Sequence, residues 1–352
     1  MAPAIKKLTF FEKWMDPIAE GIVAAAPGIN LTRLSYDAPL EANGRAMRET
    51  HGYQIAPRTE LREPWFGNAD LLARCPNLLA ISTSGVGYDV VDVEACTKAG
   101  VIVINQAGSN KEAVAEHTLG LMLSLAKKIA ETDRLLRKRK GLDRFAYSGN
   151  DLAGKTVGII GIGNIGTRTA ELCRVFNMTV LACDPYLSAA AITARGAAKV
   201  ELAELLRRAD FVSVHCPRSS ETFGMIGRDE LALMKPTAYF ISTARGGIHQ
   251  EDALVEALAQ KRIAGAGVDV FLAEPPAPDH PLLAFDNVIA TPHIAGMTEE
   301  AKQEMAASAA RQWIAIFNGA APRCLVNPDA WQRYVERFER LLGFRPAESR
   351  AA

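Results

Sequence analysis

A glycine pattern between a strand-like run and a helix-like run constrains this chain more than any other feature. The apolar run 155–160 leads into Gly-Ile-Gly-Asn-Ile-Gly, and a helical pattern follows over 165–175. In this context the glycines allow a tight turn and bring backbone N–H groups close to a pyrophosphate at a helix N-terminus. A lone GxGxxG is weak evidence, but strand, turn and helix together predict a dinucleotide-binding α/β domain. The residues predicted to form this cradle are Gly161, Gly163, Asn164, Ile165 and Gly166.

Asp184 indicates which dinucleotide the loop would hold. It follows the next apolar run, 179–183, and lies 18 residues after Gly166. An acidic side chain at that place can accept hydrogen bonds from both ribose hydroxyls of the adenosine half, and it repels a 2′-phosphate. The following Pro185-Tyr186 adds no arginine to reverse this preference. We therefore expect NAD rather than NADP, with a solvated strand end as the alternative interpretation of Asp184.

Short apolar runs separated by helical patterns predict two α/β regions. The first region has four such runs: 30–34, 53–55, 78–81 and 101–104. The second has six: 155–160, 179–183, 211–215, 239–242, 265–270 and 288–290. Because nearly continuous apolar strands are buried on both faces, the second region is predicted to be a doubly wound parallel-sheet (Rossmann) domain. The first is predicted to be a smaller α/β domain, also with a parallel sheet.

Three further segments complete the predicted organisation. The stretch from Glu112 to about Arg139 has helical spacing and is predicted to be one long helix that could cross from one domain to the other. Residues 299–317 are again helical, and the tail from Asn327 is predicted to pack against the first domain. The predicted boundaries are 1–110 with 299–352 for a flavodoxin-like substrate domain made from both chain ends, and 111–298 for the NAD-binding domain.

Charge and composition exclude several classes of partner. The 352 residues are 49% hydrophobic, and 40 basic and 40 acidic side chains give a formal charge of zero. This balance gives no excess of positive charge with which to bind nucleic acid or an anionic membrane. The six cysteines are scattered, with no spacing typical of a metal site or a disulfide framework. No apolar stretch reaches the roughly 18 residues needed to cross a bilayer, and the first residues lack a secretory apolar region. We therefore expect a cytoplasmic protein whose partners are small molecules and copies of itself.

Three polar side chains follow the later apolar runs and supply groups that hydride transfer to a carbonyl needs. His293 comes after a strand and a proline, at the carboxyl end of a parallel sheet where ligands of such folds bind, and imidazole exchanges protons near neutrality. Glu274 is predicted to hydrogen-bond His293. A nearby carboxylate favours the protonated imidazolium form of the histidine. Arg245 offers a planar fork of donors for a substrate carboxylate. Each residue also has a purely structural interpretation. His293 could cap a loop, Glu274 could be a surface carboxylate, and Arg245 could form an ion pair between domains.

These residues lie within segments that resemble the signature segments of the D-isomer-specific 2-hydroxyacid dehydrogenases. The matching segments are 243–247 (Thr-Ala-Arg-Gly-Gly), 267–275 and 291–296, and the likeness also includes 84–89 and 115–117. The resemblance runs from about residue 78 to residue 317. It implies an NAD-dependent enzyme that transfers hydride to or from C2 of a small 2-keto or 2-hydroxy acid, with D stereochemistry.

The same resemblance implies a homodimer and assigns further contacts. The dimer would be joined through the NAD domains by the long helix and an arm containing Phe145 and Tyr147. Asp269 matches a position that approaches the nicotinamide carboxamide. The other implied cofactor contacts are His215, Cys216, Pro217, Thr243, Ala244 and Gly296. The implied substrate contacts besides Arg245 are the backbone amides of Val86 and Gly87, the side chain of Arg58 with Thr59, and Asn110. A helix N-cap is an equally natural role for Asn110 or Ser109.

Departures from the family's pattern leave the substrate open. Ser242 stands where the family usually has Asn, and His249-Gln250 replaces the usual Val-Asp. Segments 109–110 and 276–281 resemble formate dehydrogenases, but those enzymes carry glutamine where Glu274 stands, which argues for a hydroxy acid. A phosphite oxidiser would keep both the histidine and the glutamate, and oxidation of 3-phosphoglycerate fits all the motifs. A non-enzymatic, NAD-binding protein of the corepressor type is the alternative of another class.

Overall fold

Two parallel sheets organise the chain, whose computed structural model describes residues 5–58, 60–138 and 143–347. The strands, in chain order, are β1 (Lys6–Phe11), β2 (Ile29–Leu34), β3 (Gly52–Ile55), β4 (Ala80–Thr83), β5 (Ile102–Ile104), β6 (Thr156–Ile160), β7 (Thr179–Cys183), β8 (Ala198–Lys199), β9 (Phe211–Val214), β10 (Tyr239–Ser242), β11 (Gly265–Val268) and β12 (Val288–Ala290). One sheet has the order β2-β1-β3-β4-β5 and the other β12-β11-β10-β9-β6-β7-β8.

Helices connect these strands. In chain order they are α1 (Ile18–Ala24), α2 (Leu40–Glu49), α3 (Ala69–Arg74), α4 (Val93–Ala99), α5 (Lys111–Ala126), α6 (Ile129–Lys138), α7 (Asn164–Val175), α8 (Ala189–Ala194), α9 (Leu202–Arg208), α10 (Arg228–Ala232), α11 (Glu251–Ala259), α12 (Glu299–Phe317) and α13 (Trp331–Leu342). Short 3₁₀ turns cover Arg144–Tyr147, Pro281–Ala284 and Pro328–Ala330. Across the described ranges, no helix combines the length and the apolar character that crossing a membrane requires. The chain divides into two compact units, unit 1 (1–110 with 299–352) and unit 2 (111–298).

In unit 1, helix α12 from the second segment of the sequence packs against a sheet formed by strands of the first segment. The strand order is that of flavodoxin-like folds. Helix α12 lies so close to β3 that a Cβ added at Gly52 would be 2.5 Å from the Trp313 ring. The Trp313 indole N–H donates to Gln54 Oε1 at 2.9 Å, and Leu8 and Phe10 of β1 belong to the same apolar cluster as Trp313. The core of this unit therefore depends on both segments of the sequence.

Unit 2 is a doubly wound sheet whose strand order reverses between β6 and β9. From β6 the sheet continues through β7 and β8 on one side, and through β9 to β12 on the other. In sheets of this kind ligands bind beyond the carboxyl ends of the strands, at the point of reversal. Gly161 follows β6 and His215 follows β9, so the glycine loop begins at this point. The predicted fold class is confirmed, with two strands that were not predicted: the two-residue β8 in this unit and β1 in unit 1.

The long helix predicted from Glu112 to about Arg139 is wrong, because the described part of that stretch forms two helices. Helix α5 ends at Ala126, whose carbonyl accepts a hydrogen bond from the backbone N–H of Asn150 at 2.8 Å. Lys128 then takes a φ of 56°, outside the helical region, before α6 begins. Helix α5 is largely buried, whereas α6 has no buried residue. The apolar spacing thus continues across a change from a core helix to a surface helix. Arg139 lies outside the described residues.

Candidate active site

The glycine loop has two glycines that packing requires and one that faces open space. Gly161 has a φ of 86°, and an added Cβ there would lie 2.7 Å from the backbone nitrogen of Cys216. A Cβ at Gly166 would lie 2.3 Å from the carbonyl oxygen of Gly161. At Gly163, the N-cap of α7, a Cβ would meet nothing within 4 Å, and no side chain caps this helix end. Uncapped N–H groups beside open space fit a pyrophosphate.

Asp184 and Arg195 hold the glycine loop from two directions. One carboxylate oxygen of Asp184 accepts from the backbone N–H of Ile162 at 3.2 Å, and the other accepts from that of Tyr186 at 3.1 Å. The carbonyl oxygen of Ile162 accepts from the Thr167 hydroxyl and from Arg195 Nη1. Sequence reasoning noted only that Pro185-Tyr186 brings no arginine, and it missed Arg195 because no motif marks that position. The guanidinium lines the opening beside Gly163.

His215 and its neighbours lie at the end of β9, against the glycine loop. His215 Nε2 is 2.8 Å from the Ser213 hydroxyl, and its buried Nδ1 has no partner among the described residues. Burial lowers the pKa of His215 to about 4, so this imidazole is neutral at pH 7. Cys216 leaves no room for a side chain at Gly161, since an added Cβ there would lie 2.8 Å from the Cys216 Cα. Pro217 is exposed, and its carbonyl accepts from the Thr222 hydroxyl at 2.7 Å.

His293 and Glu274 form the central pair of the site. His293 Nδ1 is 2.8 Å from Glu274 Oε2, and the other carboxylate oxygen of Glu274 accepts from the Phe271 backbone N–H at 3.0 Å. Burial raises the pKa of Glu274, but the hydrogen bonds from His293 and Phe271 and the positive charge of Arg245 outweigh it and leave the pKa lowered. An ionised carboxylate only accepts hydrogen bonds, so Nδ1 of His293 carries a hydrogen. The side chain of His293 is 41% exposed.

Arg245 follows β10 and abuts the segment that carries Glu274. Its Nη1 donates to the Ala244 carbonyl at 2.7 Å. Gly246 packs directly on the next strand's loop, since an added Cβ would lie 1.8 Å from the Phe271 carbonyl oxygen. Thr243 is buried, with its hydroxyl 3.1 Å from that of Thr118 on α5. Because β10, β11 and β12 are neighbours in the sheet, the structure brings the three predicted catalytic residues to one edge.

Asp269 holds the segment that contains His293. It is fully buried, and its Oδ1 accepts from the Thr291 hydroxyl at 2.5 Å and from the Ile294 N–H at 2.9 Å. Its Oδ2 accepts from the Ala295 N–H at 2.9 Å, just before Gly296. The expected approach of Asp269 to a nicotinamide carboxamide stays a prediction. The role of Asp269 in holding the backbone of residues 294 and 295 could not be predicted from the sequence, because every residue type except proline has a backbone N–H group.

The predicted substrate contacts from the other region belong to unit 1. Arg58 is exposed and follows β3, and Thr59 lies outside the described residues. The carbonyl of Val86, next to Gly87, accepts from the Asn105 side chain at 2.8 Å. Asn110 Oδ1 is buried and has no hydrogen-bond partner in the described ranges, so the N-cap role suggested for Asn110 is wrong. Their grouping with Arg245 of unit 2 stays a prediction.

Known proteins resemble this chain in sequence and in fold. Residues 119–295 match the family described as D-isomer specific 2-hydroxyacid dehydrogenase, NAD binding domain. A glyoxylate reductase of Thermofilum pendens is 41% identical over 266 residues, covering 74% of this chain and 78% of that protein. A D-3-phosphoglycerate dehydrogenase of Archaeoglobus fulgidus is 39% identical over 260 residues, covering 74% of this chain but only 49% of that protein. The chain thus spans about half the length of that relative.

A solved structure shows the same fold over nearly all of both chains. It is the crystal structure of a D-lactate dehydrogenase from Aquifex aeolicus complexed with NAD and lactic acid. The match has a TM-score of 0.73 and 28% sequence identity, and it covers 89% of this chain and 96% of that chain. The likeness therefore includes both α/β units.

Proposed function

The chain belongs to the D-isomer-specific 2-hydroxyacid dehydrogenase family, and from this membership we propose that it interconverts a small 2-keto acid and the D-2-hydroxy acid with NAD as cofactor. The observation that carries the proposal is the His293–Glu274 hydrogen bond of 2.8 Å at the sheet edge that also holds Arg245. Imidazole, carboxylate and guanidinium at the carboxyl ends of neighbouring strands fit proton exchange with a bound hydroxy acid.

The three side chains have separate tasks in the proposed reaction. Bound NADH supplies the hydride. Arg245 binds the substrate carboxylate and orients the adjacent carbonyl group. Since Nδ1 of His293 is engaged by Glu274, the proton that becomes part of the hydroxyl comes from Nε2, and in the oxidative direction it returns there. Glu274 fixes the orientation of the imidazole and stabilises its charged form.

The proposed preference for NAD rests on Asp184 beside the glycine loop. Its carboxylate lies within hydrogen-bond distance of the Ile162 N–H, where it would repel a 2′-phosphate. Arg195 donates to the carbonyl of the same residue, Ile162, so it is the cation to examine if NADP is accepted. Asp184→Ala is expected to lower the ratio of kcat/KM for NADH to that for NADPH, and an unchanged ratio would remove Asp184 from this role.

The substrate class is proposed from relatives and from Glu274. Relatives are named for glyoxylate, 3-phosphoglycerate and D-lactate, which share a 2-oxygen function next to a carboxylate. A glutamate partner for His293 suits a reaction that gives or takes a hydroxyl proton, whereas formate oxidation releases none. We therefore rank a small 2-keto acid first and 3-phosphohydroxypyruvate second.

The test is NADH consumption by the purified protein with a panel of keto acids. The panel contains glyoxylate, hydroxypyruvate, pyruvate, 2-ketoisocaproate, phenylpyruvate and 3-phosphohydroxypyruvate, and formate and phosphite are tested for NAD reduction. Turnover of a keto acid that is lost in His293→Ala would support the proposal. Tight NADH binding with no turnover of any keto acid would contradict it and favour a non-catalytic NAD-binding protein.

We also propose that the protein acts as a cytoplasmic homodimer. The surface helix α6 and the turn after it carry exposed apolar side chains, with Leu136 66% and Phe145 75% exposed. The family resemblance assigns the dimer contact to this segment, and a contact there would bury these side chains. Sedimentation velocity of the wild type and of Phe145→Asp tests this: a dimer that the substitution weakens is expected, and a wild-type monomer at micromolar concentration would contradict the proposal.

A further inference from the structure

A polar chain that the proposed mechanism does not use leads from α5 to the His293 segment. His117 on α5 places Nε2 at 3.1 Å from the Thr291 hydroxyl. That hydroxyl lies 2.5 Å from Asp269 Oδ1, and the same carboxylate receives the N–H groups of Ile294 and Ala295. The side chain of His117 is 23% exposed and that of Asp269 is fully buried. All of these residues lie in unit 2.

The direction of each hydrogen bond follows from the number of protons available. Among the described residues, the groups that hydrogen-bond the Asp269 carboxylate are one O–H donor and two N–H donors, which is the pattern of an ionised acceptor. The Thr291 hydroxyl has one hydrogen, and it is given to Asp269. Its oxygen then accepts, so His117 Nε2 must carry a hydrogen and donate it. His117 is thus the start of a chain of donors that ends on a buried negative charge.

The far end of this chain controls the backbone of His293. The His293 N–H donates to the Asp269 carbonyl at 2.8 Å, while the Asp269 carboxylate holds the next two N–H groups. His293 has a φ of 56°, which non-glycine residues adopt rarely and keep only when the surroundings hold them there. Loss of a donor to Thr291 would leave a hydroxyl oxygen without its partner and loosen the carboxylate that pins this segment.

We propose that His117 is a positioning residue for His293, acting through Thr291 and Asp269. This inference deepens the proposed function, because it names a residue outside the three catalytic side chains that sets the geometry of the proton donor. Its consequence is selective: removing the Nε2 hydrogen-bond donor should lower kcat while leaving NADH affinity nearly unchanged, since the glycine loop and Asp184 are not part of this chain.

The test uses His117→Leu, which removes the donor, and His117→Gln, whose amide nitrogen reaches the same distance along the side chain. Thr291→Val removes the hydroxyl, and the double variant His117→Leu/Thr291→Val completes a cycle. Glu116→Ala, at an exposed neighbouring position of α5, is the matched control. Thermal unfolding of each variant identifies any that fail to fold, and His117→Gln keeps a polar partner for Thr291.

With the best keto acid, kcat of His117→Leu is expected to fall about tenfold, with the Kd for NADH within about twofold of the wild type. His117→Gln should recover to within about threefold, and the double variant should be no slower than the slower single variant. Equal kcat for His117→Gln and His117→Leu, or a double variant whose loss is the product of the two single losses, would overturn the proposal.

A second measurement does not need turnover. In ¹H–¹⁵N spectra of the free protein labelled at its six histidines, the His293 signal is expected to move in His117→Leu and Thr291→Val and to stay in place in His117→Gln and Glu116→Ala. A His293 signal that is unchanged in His117→Leu would refute the positioning role. If no acid of the panel is reduced, the proposed function fails, and these spectra still decide the role of His117.

Discussion

His293 combines two properties that are unusual for a histidine in a loop. Its backbone has a positive φ, and its side chain is both exposed and tied to a carboxylate by a single ring nitrogen. A positive φ at a non-glycine residue costs free energy, and such conformations are concentrated at functional sites. The other ring nitrogen is left for exchange with a ligand. The arrangement suits a proton donor that is held in place before the substrate arrives.

Removal of the His293 imidazole is expected to affect the chemical step alone. In His293→Ala, kcat should fall by about a thousandfold, the range that general acid catalysis provides. The Kd for NADH should change little, because the glycine loop and Asp184 lie at other strands. Steady-state kinetics with a fluorescence titration of NADH measures both quantities. A variant that keeps more than a tenth of the wild-type kcat would show that His293 is not the donor.

Arg245 should contribute mainly to binding. Arg245→Ala removes charge-assisted hydrogen bonds to the substrate carboxylate, each of about 1.5–3 kcal/mol, so KM for the keto acid is expected to rise by about a hundredfold. The effect on kcat should be smaller than in His293→Ala. Arg62→Ala, at an exposed arginine of unit 1, serves as a control for loss of positive charge. Equal KM values for wild type and Arg245→Ala would assign the carboxylate to another group.

At the scale of elements, the glycine loop separates folding from binding. A methyl group at Gly163 meets no atom within 4 Å, whereas one at Gly166 would overlap the Gly161 carbonyl. Gly163→Ala should therefore keep the melting temperature of the wild type within a few degrees but weaken NADH binding, since the methyl fills the space beside the α7 N–H groups. Gly166→Ala should lower the melting temperature strongly. Calorimetry and NADH titration of both variants test this; unchanged NADH affinity in Gly163→Ala would contradict the cofactor site.

Sequence patterns predicted elements well where the signal was local. Strands such as β6 and β10 are short apolar runs, and the helix Glu299–Phe317 has clear spacing, so both kinds of element were predicted. Strand β1 was missed because Lys6 and Lys7 interrupt its apolar character, and β8 because two residues carry no pattern. The break before Lys128 was missed because the Asn150 N–H that ends α5 comes from 24 residues further along.

The site shows the same division between local and distant signals. That Arg245, Glu274 and His293 lie at one edge of the sheet was predictable, because each lies in a short motif after a predicted strand. The contacts of Arg195 with the Ile162 carbonyl and of His117 with Thr291 were not, since the partners are 33 and 174 residues apart. Such pairs are set by how the strands are ordered in the sheet, which residue spacing does not encode.

For the whole molecule, a buried histidine makes stability depend on pH. His249 is 1% exposed, both of its ring nitrogens lack partners among the described residues, and its ring packs on Phe240 at 5.4 Å. Burial lowers its pKa to about 4, against a small opposing effect of Glu251. In the unfolded chain the pKa of His249 has its ordinary value of 6.5. Between about pH 6.5 and pH 4, His249 is therefore protonated in the unfolded chain but neutral in the folded chain. The free energy of unfolding must therefore fall as pH drops from about 6.5 towards 4.

His249→Leu removes this dependence without placing charge in the core. Between pH 7.5 and pH 5, the wild type should lose about 2 kcal/mol more unfolding free energy than the variant. Urea titrations at the two pH values measure the difference, with Glu116→Ala expected to follow the wild type. If the wild type and His249→Leu lose the same amount of stability, the pKa of His249 is not lowered by folding, and the prediction is wrong. His215, whose pKa burial also lowers to about 4, adds to the remaining slope.

The construction of unit 1 from two distant segments has a consequence for the newly made chain. Strands β1 to β5 leave the ribosome first, but the helix that covers Leu8, Phe10 and Gly52 begins only at Glu299. At translation speeds of about 5–20 residues per second, the uncovered face waits roughly 10 to 40 seconds for Trp313 to emerge. Unit 2 is continuous in sequence and can fold during that interval. The nascent chain thus exposes apolar strands for longer than it needs to complete its second unit, and during this time those strands are open to aggregation.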